Sequence, residues 1–204
     1  LDELLSRSQA GVQLVVAAAT LGKRSEAFIE RFMADGIRIH HGDNPLQNTI
    51  SHHIVPTPAM GKEVVLVRFI KKNRCKQAIV FVSDPRHQHY LLHFFGEHEI
   101  SAVTLSRERS KEQRKRGLED FRQGKVQLLL STDKTARGID IPNVQWVLHY
   151  DLPRSAADYV HRAGRTGRAG QKGVSVVFAD NVARGYLRHL SRQLKVEFTP
   201  FHQR

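Results

Sequence analysis

The chain has 204 residues, of which 40% are hydrophobic, and a formal net charge of +12. That apolar share is enough for one substantial core, but no apolar run reaches the length of a membrane span, and the acidic start Leu1–Leu5 is unlike a signal peptide. The single cysteine, Cys75, excludes an internal disulfide and favours the cytoplasm or another reducing compartment. The excess positive charge predicts attraction to polyanions, most simply nucleic acid, and no membrane partner is predicted.

Strand-like apolar runs alternate with amphipathic, helix-like stretches. The predicted strands are Val12–Ala17, Gln77–Val82, Ala102–Leu105, Val126–Ser131, Gln145–Tyr150 and Gly173–Ala179. The predicted helices are Lys62–Lys72, Pro85–Glu97, Ser110–Gln123, Ser155–Ala163 and Val182–Leu194. This alternation predicts an α/β fold, a parallel β-sheet flanked by helices on both faces, with its ligand site beyond the carboxyl ends of the strands.

Residues 41–60 interrupt this rhythm, because Pro45, Pro56 and Pro58 stand among glycine and asparagine without a clear period. The segment is predicted to be a linker, or an edge strand with loops. We therefore divide the chain into a strand–helix–strand remnant over 1–40, the linker over 41–60 and one α/β domain over 61–204. Since the sequence begins at Leu1 rather than Met, we expect it to be a piece of a longer protein.

Histidine is frequent, yet its spacing does not predict a metal site. The pairs His40-His41 and His52-His53 are adjacent in sequence, whereas histidines that share a metal on one helix lie three or four residues apart. A single cysteine cannot form a cysteine-based site either. We predict no metal site within this chain.

The strongest motif is His161–Gly170, with sequence HRAGRTGRAG, at the end of a predicted helix. Its clustered arginines repel one another unless anions lie between them, and guanidinium groups match phosphate oxygens two at a time. Its glycines would let backbone and ligand approach closely. A solvated basic loop is the alternative, but such a loop has no need of this glycine spacing, so we favour phosphate binding.

A second motif, Ser131–Asp140, follows a predicted buried strand with the sequence STDKTARGID. Hydroxyl and carboxylate groups at the carboxyl end of a strand lie where α/β sheets bind ligands. An ordinary strand-to-helix turn capped by Thr132 or Asp133 is the alternative.

Together the two motifs resemble motifs V and VI of the DEAD-box helicase family. Val80-Phe81 resembles motif IV, Arg114 with Phe121-Arg122 and Gly124 resembles the family's arginine helix, and Ala18-Ala19-Thr20 resembles motif III. The resemblance therefore covers most of the chain. It implies that 61–204 is the C-terminal RecA-like domain of an ATP-dependent RNA helicase, and that 1–40 ends the first RecA-like domain.

By this resemblance, two residues would face the γ-phosphate of ATP as arginine fingers, namely Arg165 and Arg168. The residues implied at the ATP site or between domains are Asp140, Gly138, His161 and Arg162. The residues implied to contact RNA are Arg114, Thr132, Arg137 and Ser83. The implied partners are the backbone of single-stranded or duplex RNA and the first RecA-like domain of the same protein.

Neither a Gly-x-x-x-x-Gly-Lys-Ser/Thr loop nor an Asp-Glu-Ala-Asp sequence occurs here. ATP and Mg²⁺ are thus expected to be held mainly by the first domain, and the chain alone is expected to be inactive. The sequence also departs from the family pattern at several positions, and these departures put RNA affinity and coupling in question. They are Ala18 in motif III, Asp84 after motif IV, Ser106-Arg107 before the arginine helix, and Lys111 within it.

Two alternatives stay open. A DNA helicase of the same superfamily would share the arginine pattern, although the two motifs fit the RNA branch better. A non-catalytic RNA- or protein-binding module derived from a helicase would explain the departures, although such a module has no need of Arg165 and Arg168.

Overall fold

The computed structural model describes residues 13–17, 23–39, 46, 49–58, 60–136 and 141–201, which fall into two compact units, 1–42 and 43–204. In the first unit, helix α1 spans Lys23–Phe32. Residues 13–17 have no regular secondary structure, and Val15 is 75% exposed, so the strand predicted over Val12–Ala17 is wrong for these residues. A strand needs a hydrogen-bonded neighbour, and the described part of this unit contains none.

The second unit is built around a parallel sheet with the strand order β3-β4-β2-β5-β6-β1-β7. Its strands are β1 (Ile50–Pro56), β2 (Ala78–Phe81), β3 (Ala102–Thr104), β4 (Leu128–Ser131), β5 (Trp146–His149), β6 (Gly173–Ala179) and β7 (Thr199–Pro200). Its helices are α2 (Lys62–Lys72), α3 (Pro85–Glu97), α4 (Lys111–Arg122), α5 (Asp133–Ala136), α6 (Ala156–Ala163) and α7 (Arg184–Leu194). None of the described helices is both long and apolar enough to span a membrane.

Helices cover both faces of the sheet, as predicted. Alternate residues of the fully buried β2 strand point to opposite faces. Ala78 and Val80 join a core formed with α2 and α3, whereas Ile79 and Phe81 join a core formed with α4. A third core packs α6 and α7 against β1 and β6.

The region predicted as a linker contributes a strand to this sheet. Ile50–Pro56 pairs with β6 over its whole length and with β7 at two positions. These residues therefore form neither the linker nor the edge strand that was expected, but a strand inside the sheet. The sequence Ser51-His52-His53 does not predict a buried strand, because it places polar side chains where buried strands usually carry apolar ones. Pro56 is tolerated because the bond to β6 at this end of β1 is made by the backbone N–H of Thr57, which donates to the carbonyl of Ala179 at 2.9 Å.

A chain of hydrogen bonds explains how two histidines are buried beneath α6. His52 Nε2 donates to the carbonyl of Leu46 at 2.6 Å, so in the neutral ring Nδ1 must accept, and it lies 2.6 Å from the Tyr159 hydroxyl. Tyr159 then accepts from Ser175, and Ser175 accepts from His149 Nε2, each at 2.9 Å. Both rings are consequently held neutral, and burial lowers the pKa of His52 and, further, that of His149.

Acidification is expected to destabilise this domain. Unfolded histidine takes up a proton near pH 6.5, whereas both folded histidines have a lowered pKa, so the unfolded state binds more protons as the pH falls. The contribution of the two neutral histidines to the free energy of unfolding is complete above pH 6.5. Below that pH it is lost by about 1.4 kcal/mol per pH unit for each histidine kept neutral. Urea unfolding between about pH 7 and pH 5 measures this slope. The free energy of unfolding of the variant His149→Gln should depend less steeply on pH. An equally steep dependence would contradict the conclusion that His149 is held neutral in the folded domain.

Candidate functional site

The loops that follow β2 and β5 meet at the carboxyl edge of the sheet. The backbone N–H of Ser83 donates to Asp151 Oδ2 at 2.6 Å, and the backbone N–H of Asp151 donates to the carbonyl of Phe81 at 3.1 Å. Thr132 follows β4, the strand on the other side of β2. The prediction that the motif Ser131–Asp140 follows a buried strand is confirmed.

Arg162 joins two of these loops from the end of α6. Its Nε and Nη2 donate to Asp133 Oδ1 and Oδ2 at 2.7 and 2.8 Å, and its Nη1 donates to the carbonyl of Asp151 at 2.7 Å. The guanidinium lies 5.0 Å from the centre of the Phe81 ring, and the residue is only 2% exposed. Its charge is therefore compensated within this domain, by a two-pronged carboxylate contact rather than by an anion from outside.

Arg165 and Arg168 lie in the loop after α6, in a different environment from Arg162. Arg168 is exposed, and its guanidinium donates only to carbonyl oxygens of the described residues, Gly164 at 2.8 Å and Ile141 at 3.5 Å. Arg165 is half-buried and donates from Nη2 to the carbonyl of Ala136 at 3.1 Å. Carbonyl groups orient a guanidinium without neutralising it, so the charge of Arg168 remains available to an anion.

The glycine at 167 is required by the packing of this loop. Its φ of 69° favours glycine, and a Cβ atom would lie 2.5 Å from Ile50 Cγ1 and 2.8 Å from Thr49 Oγ1. The Thr49 hydroxyl donates to the Gly167 carbonyl at 2.9 Å. Next to it, the buried Thr166 hydroxyl donates to the carbonyls of Val144 and Gln145. These contacts fix the loop that carries both arginines against β1 and the start of β5.

Thr132, one of the residues implied to contact RNA, caps the short helix α5. Its hydroxyl accepts from the backbone N–H of Thr135 at 3.1 Å and lies 3.0 Å from the Thr135 hydroxyl. This cap also places Asp133, the next residue, where Arg162 reaches it. Thr132 therefore lies on a loop that Arg162 joins to the loop after β5, and Ser83 is hydrogen-bonded to that second loop through Asp151.

Arg114 is half-buried on α4, and its backbone is fixed by a capping box at the start of this helix. The Ser110 hydroxyl accepts from the backbone N–H of Gln113 at 3.1 Å, and the Gln113 side chain accepts from the backbone N–H of Ser110 at 3.0 Å. Among the described residues, no hydrogen bond or ion pair joins the Arg114 side chain to Thr132 or Ser83. His161 is half-buried on α6, and its Nδ1 has no hydrogen-bond partner in the described part of the chain.

Three residues predicted at the site, Gly138, Asp140 and Arg137, lie outside the described residues. Other functional positions were not foreseen, namely Asp133 and Asp151 as the two partners of Arg162. No local pattern reveals them, because they lie 29 and 11 residues from Arg162 in sequence.

Asp84 does not bring an uncompensated negative charge to this edge. Its carboxylate caps α3 by accepting from the backbone N–H of Arg86 at 2.9 Å, and it pairs with the Arg86 guanidinium at 3.2 Å. Hydrogen bonding from the Arg86 side chain lowers the pKa of the Asp84 carboxyl. The sequence contained a signal for this role, since Asp followed by Pro is a common helix start.

The other positions that depart from the family pattern and lie in the described residues either have structural roles or are exposed. Ser106 is buried, its backbone N–H donates to the Thr104 hydroxyl at 3.0 Å, and its own hydroxyl accepts from the backbone N–H of Glu108 at 3.3 Å. Arg107 and Lys111 are exposed beside it, and they add positive charge at the start of α4.

Comparison with known proteins agrees with this fold. The model of the helicase conserved C-terminal domain matches residues 61–170. The chain is 41% identical over 127 residues to ATP-dependent RNA helicase DDX51 of Mus musculus, covering 61% of this chain and 20% of the relative. It is 27% identical over 202 residues to ATP-dependent RNA helicase FAL1 of Eremothecium gossypii, covering 98% of this chain and 51% of the relative. The structure of S. cerevisiae Dbp5 bound to RNA and ADP BeF3 matches with a TM-score of 0.80 at 25% identity, covering 97% of this chain and 53% of that one.

A parallel sheet with helices on both faces and an arginine loop after α6 defines a RecA-like helicase C-terminal domain. The chain spans about half the length of FAL1 and a fifth of DDX51. It belongs to the DEAD-box family of superfamily 2 helicases, as their C-terminal domain.

Proposed function

We propose that this chain is the C-terminal half of an ATP-dependent RNA helicase, in which Arg165 and Arg168 act as arginine fingers on ATP held mainly by the first RecA-like domain. The observation that carries the proposal is the contrast within one motif. Arg162 is buried against a carboxylate, whereas Arg168 is exposed and contacts only carbonyl groups of the described residues. A cationic side chain held in place without a counter-ion is suited to an anion that arrives from another domain.

The chemistry of phosphoryl transfer explains the value of such a group. Negative charge on the γ-phosphoryl oxygens is rearranged as the bond to the leaving group loosens, and a guanidinium fork placed there stabilises the transition state. The carbonyls of Gly164 and Ile141 would hold Arg168 in position before the domains meet, so little reorganisation is needed during the reaction. Mg²⁺ would enter with ATP and neutralise phosphate charge; the described residues hold no cluster suited to a metal ion.

For RNA, we propose a surface formed by Ser83, Thr132 and Arg114, together with Arg137. Ser83 and Thr132 follow neighbouring strands at one edge of the sheet, and the exposed cations of α4 and its preceding loop supply positive charge. Hydroxyl and guanidinium groups of this kind bind phosphate and sugar without reading the base sequence. Arg162 supports the proposal indirectly. It joins the loop of Thr132 and the loop of Asp151, which accepts from the backbone N–H of Ser83, to the helix that precedes the two fingers.

The isolated chain is expected to hydrolyse ATP only at background rate, whereas the longer protein should show RNA-stimulated turnover. The reason is that the sequence contains neither the phosphate-binding loop nor Asp-Glu-Ala-Asp. A steady-state phosphate-release assay on both proteins, with single-stranded RNA and with DNA of the same length, measures this. Turnover by the isolated chain would overturn the proposal that ATP is held mainly by the first domain. Equal stimulation by DNA would favour a DNA helicase. No turnover by the longer protein would favour a non-catalytic module.

A further inference from the structure

A cavity of about 340 Å³ lies beside α7, and none of its lining residues belongs to the site described above. Its apolar lining comes from β1, β7, α7 and the segment before β7, namely Ile54, Pro56, Leu187, Phe198 and Pro200. Leu187 belongs to the core beneath α7, whereas Pro56 and Pro200 are exposed. A cavity of this size accepts one large side chain, and it is near the lower limit for small-molecule sites.

The rim of this cavity is positively charged. Arg184 and Arg188 line it, and Arg192 continues the row along α7 at the same spacing of four residues. All three arginines are exposed, and none forms an ion pair with any described residue. Of the two carboxylates on the rim, Asp180 accepts from the backbone N–H of Ala183 at 3.0 Å, and Glu197 is exposed.

We propose that the α7 groove, meaning this cavity with Arg184, Arg188 and Arg192, binds an acidic peptide segment of a partner protein. One large apolar side chain of the segment would fill the cavity, and carboxylates on either side of it would pair with the arginines. From Arg184 to Arg192 the row spans about 12 Å at 1.5 Å per residue, which suits a peptide of several residues better than a small molecule. Apolar anchors in a pocket with a charged rim are typical of protein–peptide contacts.

The lining favours a peptide over RNA. A nucleotide base in the cavity would need hydrogen-bonding partners. Of the two neutral polar side chains in the lining, the Ser191 hydroxyl already donates to the carbonyl of Val196 at 2.6 Å, which leaves only Asn181 for a base. RNA also carries a negative charge at every nucleotide, which Glu197 would repel. A peptide can place a neutral or basic residue opposite Glu197 and still direct its carboxylates to Arg184 and Arg188.

The test uses the 204-residue chain and a fluorescein-labelled peptide of about 12 residues, rich in Glu and Asp with a central Phe. Fluorescence anisotropy should show saturable binding. Replacing the Phe by Ala, or all acidic residues by their amides, should weaken binding at least about tenfold, because the anchor and the charges both contribute. The variant Arg184→Glu/Arg188→Glu should weaken binding by a similar factor.

The matched control is Arg68→Glu/Lys72→Glu on α2. These residues are also exposed and four apart, the change in net charge is the same, and α2 packs in a different core from α7. The control should bind the peptide with an affinity within about twofold of the parent chain. Equal weakening in both variants, or no saturable binding by the parent, would overturn the proposal. So would a single-stranded RNA that competes with the peptide and loses affinity in the Arg184→Glu/Arg188→Glu variant alone.

Discussion

Replacing Arg168 or Arg165 by lysine in the full-length helicase is expected to lower maximal ATP turnover by about 10³- to 10⁵-fold. ATP affinity should change little. On the proposed mechanism the arginines act on charge that develops in the transition state, and ground-state ATP would be held chiefly by the first RecA-like domain. Lysine should not rescue activity, since a point charge cannot replace a planar two-pronged donor. Maximal turnover and the dissociation constant for ATP are the two quantities to measure.

Arg168 gives the clearer result of the two positions. It is exposed, so its replacement removes no buried packing, whereas Arg165 also donates to the carbonyl of Ala136 within the domain. The internal contrast is Arg114→Ala, which should raise the RNA concentration needed for half-maximal stimulation and spare the maximal rate. Normal turnover in both lysine variants would exclude the finger mechanism and leave the fold assignment unaffected.

Most of the fold could be predicted because local signals agree with the tertiary structure. Helices α2 and α3 have the predicted bounds, since each has an apolar face of helical period and α3 begins with an Asp-Pro pair. The helix start predicted at Ser110 likewise agrees with the start of α4 within one residue, where the structure has a capping box. Where the apolar period and the capping residues indicate the same helix bounds, contacts with neighbouring elements change those bounds little.

The position of strand β1 inside the sheet could not be predicted, because its stability there depends on distant partners. His52 is acceptable inside a sheet only because Tyr159 and the carbonyl of Leu46 complete its hydrogen bonds. The converse holds for residues 13–17, which are apolar enough for a strand but have no described strand to pair with. An apolar pattern indicates burial only where the chain supplies the neighbouring element.

The residue types of the candidate site could be predicted from the sequence, but the different roles of its three arginines could not. The sequence places three arginines within seven residues, and nothing local distinguishes them. Arg162 lies in the last turn of α6, facing Asp133, whereas Arg168 lies in the loop beyond. The roles therefore depend on which loops the sheet brings together.

Replacing Arg162 by alanine is expected to lower the free energy of unfolding of this domain by about 3–5 kcal/mol. The substitution leaves the Asp133 carboxylate without its two-pronged partner and the Asp151 carbonyl without a donor, both in a largely enclosed site. The side chain of Arg162 is 1% exposed and that of Asp133 is 22% exposed, so water can compensate only in part. Urea unfolding of the 204-residue chain gives the difference directly.

The exposed Asp84–Arg86 pair provides the matched control, with side chains 48% and 88% exposed. Arg86→Ala should leave the free energy of unfolding nearly unchanged, because exposed pairs are screened by water and salt. A second control combines Arg162→Ala with Asp133→Ala, and the double substitution should cost clearly less than the sum of the single ones, since it removes both charges. If Arg162→Ala were as mild as Arg86→Ala, or if the two single effects simply added, Arg162 would not link the loops after β4 and β5.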